Sequence, residues 1–347
     1  MSLDRIRISR WSVFILALTL IYTGECGLFL MRFADTVPKF LATVAQLFLL
    51  YRLGKDPRNP PIVAYSVLLP LMLGACVAGN YLARPNYFVF PLLQLALSWL
   101  LLQLPVFLWG GKKGGRTADL GILPIIYMLI LFMAYFWRLP SDYASGSFVH
   151  YEFTPCYTWL SLLLPQFVCC SAGMRRLIRS SLTRINLTRT LVVALAGLGL
   201  VAGWEVLSGL LFRVAGLSVT VLLLGPTVPA DAYTNPVVAI VDHLMLISGT
   251  YIYVAIAEEV FFRLILPGFL RTRLRLAGRE SFWTTFFVSA LIFGSIHWLQ
   301  ASPVWTKVLY SCVSGMIFAA LRHYSRNLQA SSVVHAITND FPRLIWV

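Results

Sequence analysis

The sequence predicts an all-α fold: a polytopic bundle of transmembrane helices with about eleven spans and a cytoplasmic N-terminus. Three observations lead there. Of 347 residues, 59% are hydrophobic and only 12% charged, with mean hydropathy +0.77; a water-soluble domain of that length cannot hide so much apolar surface. Apolar runs broken by Pro, Gly or charge recur along the whole chain. Basic residues collect in every second connection between those runs, as the positive-inside rule requires.

The runs fall at about 11–31, 37–51, 61–80, 87–109, 120–137, 156–173, 190–212, 237–270, 281–299, 304–321 and 327–346. Most approach the roughly 20 residues that a bilayer requires; the second is short and the last is weak. Ahead of the first, Arg5 to Arg10 give the look of a signal peptide. No small-residue cleavage site follows, so the run is read as a retained helix. The cytoplasmic connections hold Arg52, Lys55 and Arg58; Lys112, Lys113 and Arg116; Arg175 to Arg189; Arg271 to Arg279; and Arg322 with Arg326. The opposite connections are poorer in charge, and the alternation puts the C-terminus outside the cytoplasm. The net charge of +14 is therefore a membrane-topology signal, and no nucleic-acid partner is expected.

The six cysteines lie in or near apolar runs without CxxC spacing, which makes most of them small buried hydrophobes and supports no disulfide or zinc framework. The basic stretch Arg175–Arg189 is the best boundary, dividing an N-terminal multi-span region (1–185) from a C-terminal core (186–347) whose motifs lie in 254–340. The longest outer segments, Arg138–Pro155 and Arg213–Pro236, carry no readable motif; in the second, an apolar piece at Leu217–Leu224 suits the bilayer interface. A second active centre around Cys156, with His150 and Arg184, matches membrane Cys-Arg-His sorting enzymes poorly. Glu25, Glu205, Asp242 and His243 read as groups that line a cavity or pair with an arginine.

The chemistry gathers in the C-terminal region. Ala257-Glu258-Glu259-Val260-Phe261-Phe262-Arg263 puts three charges inside one apolar run. A charge at mid-bilayer costs roughly 2.5–3.5 kcal/mol even on lenient insertion scales, so such residues are functional by default. On a helix Glu259 and Arg263 are i and i+4 and can pair, while Glu258 turns about 100° away and stays free. The next run carries Phe293 and His297 on one face, with Gly294 and Ser295 allowing close helix approach. The last carries His335 and Asn339 at i and i+4, with Asp340 behind. At 1.5 Å per residue, Glu258 lies about 20 Å from Arg271, and His335 and Asn339 about 14 and 20 Å from Arg326. These depths let the groups converge in the middle or outer half of the bilayer.

Such a cluster supports hydrolysis. Glu258 with His297 could hold and deprotonate a water, and His335 with the Asn339 amide could donate to the oxyanion of a tetrahedral intermediate. No Ser or Cys nucleophile is needed. The three motifs, Glu258-Glu259-x-x-x-Arg263, Phe293-x-x-x-His297 and His335-x-x-x-Asn339, resemble the signatures of the CAAX-protease and bacteriocin-processing family of glutamic intramembrane endopeptidases. The resemblance implies that Glu258 and His297 activate the water and that His335 and Asn339 form the oxyanion hole. It gives Glu259, Arg263 and Phe293 supporting roles, and implies no metal or cofactor. The implied partners are the lipid bilayer and a membrane-associated protein or peptide substrate, in a bacterial cytoplasmic membrane. Two readings compete. Two histidines and a glutamate could hold zinc, although HExxH is absent. A non-proteolytic immunity, scaffold or transport protein could also carry buried charges.

Overall fold

The structure, a computed structural model, describes residues 9–17, 48, 51–52, 55, 172–216, 220–221, 244, 247, 255–275, 278–297, 301–302 and 304–345. The described residues are helical apart from their connections and one pair of two-residue strands. Residues 10–17 form a helix whose Trp11 is buried and donates its indole N–H to the Tyr51 carbonyl at 3.2 Å. The runs expected at 61–80, 87–109 and 120–137 lie outside the described residues, as do Cys156, His150, Asp242 and His243.

The C-terminal region comprises α1 (Ala172–Thr183), α2 (Leu187–Val214), β1 (Thr220–Val221), α3 (Ile256–Val260), a π-helical turn (Phe261–Ile265), α4 (Leu266–Arg273), α5 (Gly278–Ser295), β2 (Ala301–Ser302), α6 (Val304–Ser325) and α7 (Gln329–Ile345). Four helices thus coincide with apolar runs at 190–212, 281–299, 304–321 and 327–346. Among the described residues α2 alone is both long and apolar enough to cross a bilayer by length and composition; Ser281–Ser295 is a shorter apolar helix. Asn186 caps α2, its side chain accepting the Arg189 N–H at 3.0 Å. Leu191, Leu195, Leu207, Leu210 and Leu211 are exposed along α2, and Trp283, Phe287 and Leu291 form an exposed i, i+4 stripe on α5. Outward apolar faces of this kind suit lipid, not water.

The basic stretch read as a connection is itself largely helix. It forms α1, with Ile178 and Leu182 fully buried. The Ser181 carbonyl accepts the Leu328 N–H at 2.9 Å, and the Gln329 amide donates to the Leu182 carbonyl at 2.6 Å. Asn327, buried in the α6–α7 turn, donates to Thr190 Oγ1 at 2.8 Å and accepts the Gln329 N–H at 2.9 Å. This polar knot ties α7 to α1 and α2 and sets the register of the helix that carries His335. The segment around Leu217–Leu224 contributes β1, whose Thr220 and Val221 pair antiparallel with Ser302 and Ala301.

Close packing of α5 on α6 rests on Gly294. A Cβ there would meet the Val308 carbonyl at 2.6 Å and Cys312 Sγ at 2.2 Å, so no larger residue fits without parting the helices. Its neighbour Ser295 does not share this role: it is exposed and its hydroxyl donates to the Leu291 carbonyl at 2.8 Å. One turn deeper, a Cβ at Gly315 would meet Phe293 Cδ1 at 3.0 Å. The pairs 294 with 308–312 and 293 with 315 define an antiparallel register. Continued outward, it brings the end of α5, at His297, beside the first turn of α6, at Lys307.

Candidate functional site

The two acids lie on α3, directly before the π turn, and both are at most 2% exposed. The turn has a local cause. Pro267, just past the turn, has no N–H to return to the Arg263 carbonyl, and the ladder widens immediately before it. Arg263 sits inside this widened turn and donates its Nε–H to Glu259 Oε2 at 3.1 Å, the i, i+4 pair the spacing predicts. Its two terminal nitrogens find no hydrogen-bond partner. Instead the guanidinium lies over two ring faces, 5.1 Å from Phe293 and 5.8 Å from Phe318, where cation–π attraction takes the place of hydrogen bonds.

α7 brings in His335, 2% exposed, which meets both acids. Its Nδ1 lies 3.1 Å from Glu259 Oε1; the carboxylate accepts, so Nδ1 carries the proton. That leaves Nε2 facing Glu258 Oε2 at 3.5 Å, too loose to count as a hydrogen bond, and this oxygen has no other partner. The imidazole stacks on Phe318 with centroids 4.7 Å apart, and Phe293 stands edge-on to it at 5.6 Å. Phe293 is therefore a central spacer: it touches Phe262, Phe318, His297, His335 and the Arg263 guanidinium.

His297 ends α5 and is partly exposed. Its Nδ1 lies 2.6 Å from the Phe293 carbonyl, which can only accept; Nδ1 is protonated and Nε2 keeps its lone pair. Asn339 stands one turn beyond His335, is exposed, and makes no side-chain hydrogen bond among the described residues. The structure thus brings Glu258, Glu259, Arg263, Phe293 and His335 into contact, sets His297 against Phe293, and leaves Asn339 facing outward. No direct Glu258–His297 contact forms: Glu258 faces His335, His297 meets Phe293, and Phe293 in turn touches His335.

Lys307, Tyr310 and Trp204 escaped the motif reading. Lys307, on the first turn of α6, acts electrostatically on Glu258 and His297. Its ammonium lies 5.0 Å from the Tyr310 ring centre. The Tyr310 hydroxyl donates to Glu205 of α2, and Trp204 stacks on the Tyr310 ring at 6.3 Å. Glu205 was visible in sequence as an intramembrane acid, but its partner, 105 residues away, was not. A lysine ten residues after His297, near the start of the next apolar run, was the available signal for Lys307.

Residues 240–341 match a family model described as type II CAAX prenyl endopeptidase, Rce1-like, and this segment contains every motif residue named above. The segment, under a third of the chain, is thus similar to Rce1-like domains, which belong to a family of membrane-embedded proteases. Comparison with curated proteins and with solved structures gives no match.

Proposed function

We propose that the chain is a glutamic-type intramembrane endopeptidase that hydrolyses a peptide bond of a membrane-associated protein or peptide. The observation that carries this reading is Glu258 Oε2: buried, without a hydrogen-bond partner, and facing an imidazole whose other nitrogen is already held. A buried polar atom left unsatisfied is costly, and a substrate water would supply its missing partner.

In the proposed reaction that water gives a proton to Glu258, with His297 Nε2 as the second acceptor beside it, while its oxygen bonds to the scissile carbonyl carbon. The carbonyl π pair moves onto oxygen. Asn339 Nδ2–H donates to that oxyanion, and His335, as an imidazolium whose Nδ1–H stays on Glu259, donates to it from Nε2–H. Collapse of the intermediate breaks the C–N bond, and the proton held by Glu258 passes to the leaving amine. Glu259, Arg263 and Phe293 hold His335 in place. Positioned proton transfer contributes about 10²–10⁴-fold, which a buried carboxylate of this kind can supply.

The wider setting belongs to the same proposal. It comprises about eleven spans, an N-terminus in the cytoplasm and a multi-pass location in a bacterial cytoplasmic membrane. Residues 1–185 form an accessory region and 186–347 the protease core; the contacts of α1 with α7 fasten the end of the first region to the second. The matched family's description names a CAAX prenyl endopeptidase, so a prenylated peptide is a suitable first probe. The test is proteomics of membrane fractions carrying wild-type or Glu258→Ala protein, followed by cleavage of the accumulated precursor by purified enzyme. Loss of cleavage in both Glu258→Ala and His297→Ala, with melting temperatures retained, is expected; cleavage by either folded variant overturns the mechanism.

A further inference from the structure

A cavity of about 160 Å³ opens among α1, α4, α5 and α6, at the ends of these helices where the basic residues collect. Its apolar wall includes Leu177, Phe282 and Phe286, and its polar side is Arg271, Arg322 and His323. Among the described residues no Asp or Glu lines it. Arg322 Nε is buried there without a hydrogen-bond partner, and the Arg271 charge acts on the same guanidinium. Arg271, exposed, and Arg322, partly buried, thus share one space with no acidic side chain between them among the described residues. A buried donor without a partner is costly, so the Arg322 Nε–H leaves the arrangement incomplete as it stands.

The missing group has a definite chemistry. Arginine pairs present forked donors that match phosphate oxygens, and basic pockets between transmembrane helices on the cytoplasmic side bind lipid head groups. The His323 ring, 4.7 Å from that of Phe282, lines the same space and adds a further donor. A cavity of about 150 Å³ holds a benzene, so this one accepts a phosphate and its ester carbons but not acyl chains. The chains would run along the neighbouring apolar surface of α5, where Trp283 and Phe287 are about half exposed.

We infer that this cavity binds a phosphate group, carried by an anionic lipid, between Arg271 and Arg322. Arg263 and Ser289 line the same cavity, so an occupant would brace the helix that bears the two acids from its basic end. The inference does not depend on peptidase activity.

The full chain in neutral detergent micelles is titrated with phosphatidylglycerol, phosphatidylcholine or inorganic phosphate. Melting temperature is recorded, and retained lipid is counted by native mass spectrometry. Phosphatidylglycerol should raise the melting temperature by a few degrees and phosphatidylcholine should not, since only a ligand of the folded state shifts the transition. Arg271→Gln with Arg322→Gln should lose one retained phosphatidylglycerol and the shift. Ala319→Phe, which keeps both arginines and fills the cavity they line, should lose them too. A shift with inorganic phosphate alone supports the phosphate site and assigns it to the free ion as well; its absence assigns the site to the lipid. Equal shifts with the two lipids, or a full phosphatidylglycerol shift in both variant proteins, overturn the inference.

Discussion

The polar cluster has two halves that differ in how far their bonding is complete. In the inner half Glu259 holds Arg263 and His335, Phe318 stacks on His335, and two rings cover the guanidinium. In the outer half Glu258 Oε2 lacks a partner, His297 presents a free Nε2, Asn339 is exposed and Lys307 lies nearby. The residue types are nearly the same in both. What separates them is satisfaction: the inner groups complete one another, and the outer ones await something from outside. A completed buried network rigidifies a site. An uncompleted one beside it, held still by the first, is where water and substrate find their bonds.

Breaking the inner half should cost stability first. Arg263→Met strands the Glu259 carboxylate at 0% exposure, and removing one member of a buried pair costs roughly 3–5 kcal/mol. Chemical denaturation in micelles should read that loss, with activity falling only as folded protein is lost or His335 is released. Trimming the outer half should do the reverse. Asn339→Ala is expected to leave the melting temperature unchanged and to lower kcat by about 10²–10³-fold, the usual effect of removing one oxyanion donor; a fall in affinity with kcat intact would reassign the residue to binding. Gly294→Ala sharpens the contrast from a third side. Its new methyl would press on the α6 backbone, costing about 1–3 kcal/mol by overpacking and moving His297 relative to Lys307. The measurement is a melting curve beside a cleavage rate, and an unshifted melting temperature would refute the packing claim.

Much of the inner half was legible from spacing. Glu259 and Arg263 four apart, Phe293 and His297 four apart, and Gly294 at a helix contact all follow from the period of one helix. The helices α2, α5, α6 and α7 follow from apolar runs. What escaped were relations between helices. That His335 would reach both acids depends on the register of α7, which Asn327 and Gln329 set through bonds to Thr190 and Leu182. That Glu258 would face His335 more closely than His297 depends on the π turn and on Phe293 as a spacer; hydrophobic periodicity records neither. The helical character of Arg175–Thr183 was hidden because its arginines read as a loop, although every third or fourth residue, Ile178 and Leu182 among them, is buried. The strand pair of Thr220–Val221 with Ala301–Ser302 is too short to leave a pattern.

The central claim is that two adjacent, equally buried glutamates divide structure from chemistry. The direct test compares Glu258→Gln and Glu259→Gln in the purified full chain, with melting temperature and cleavage of one precursor measured on each. Glu258→Gln should keep the wild-type melting temperature and lose cleavage by at least about 10²-fold, as expected for loss of a general base, whereas Glu259→Gln should melt earlier because Arg263 loses its counter-charge. Cleavage retained in Glu258→Gln, or equal destabilisation by the two substitutions, would contradict the division.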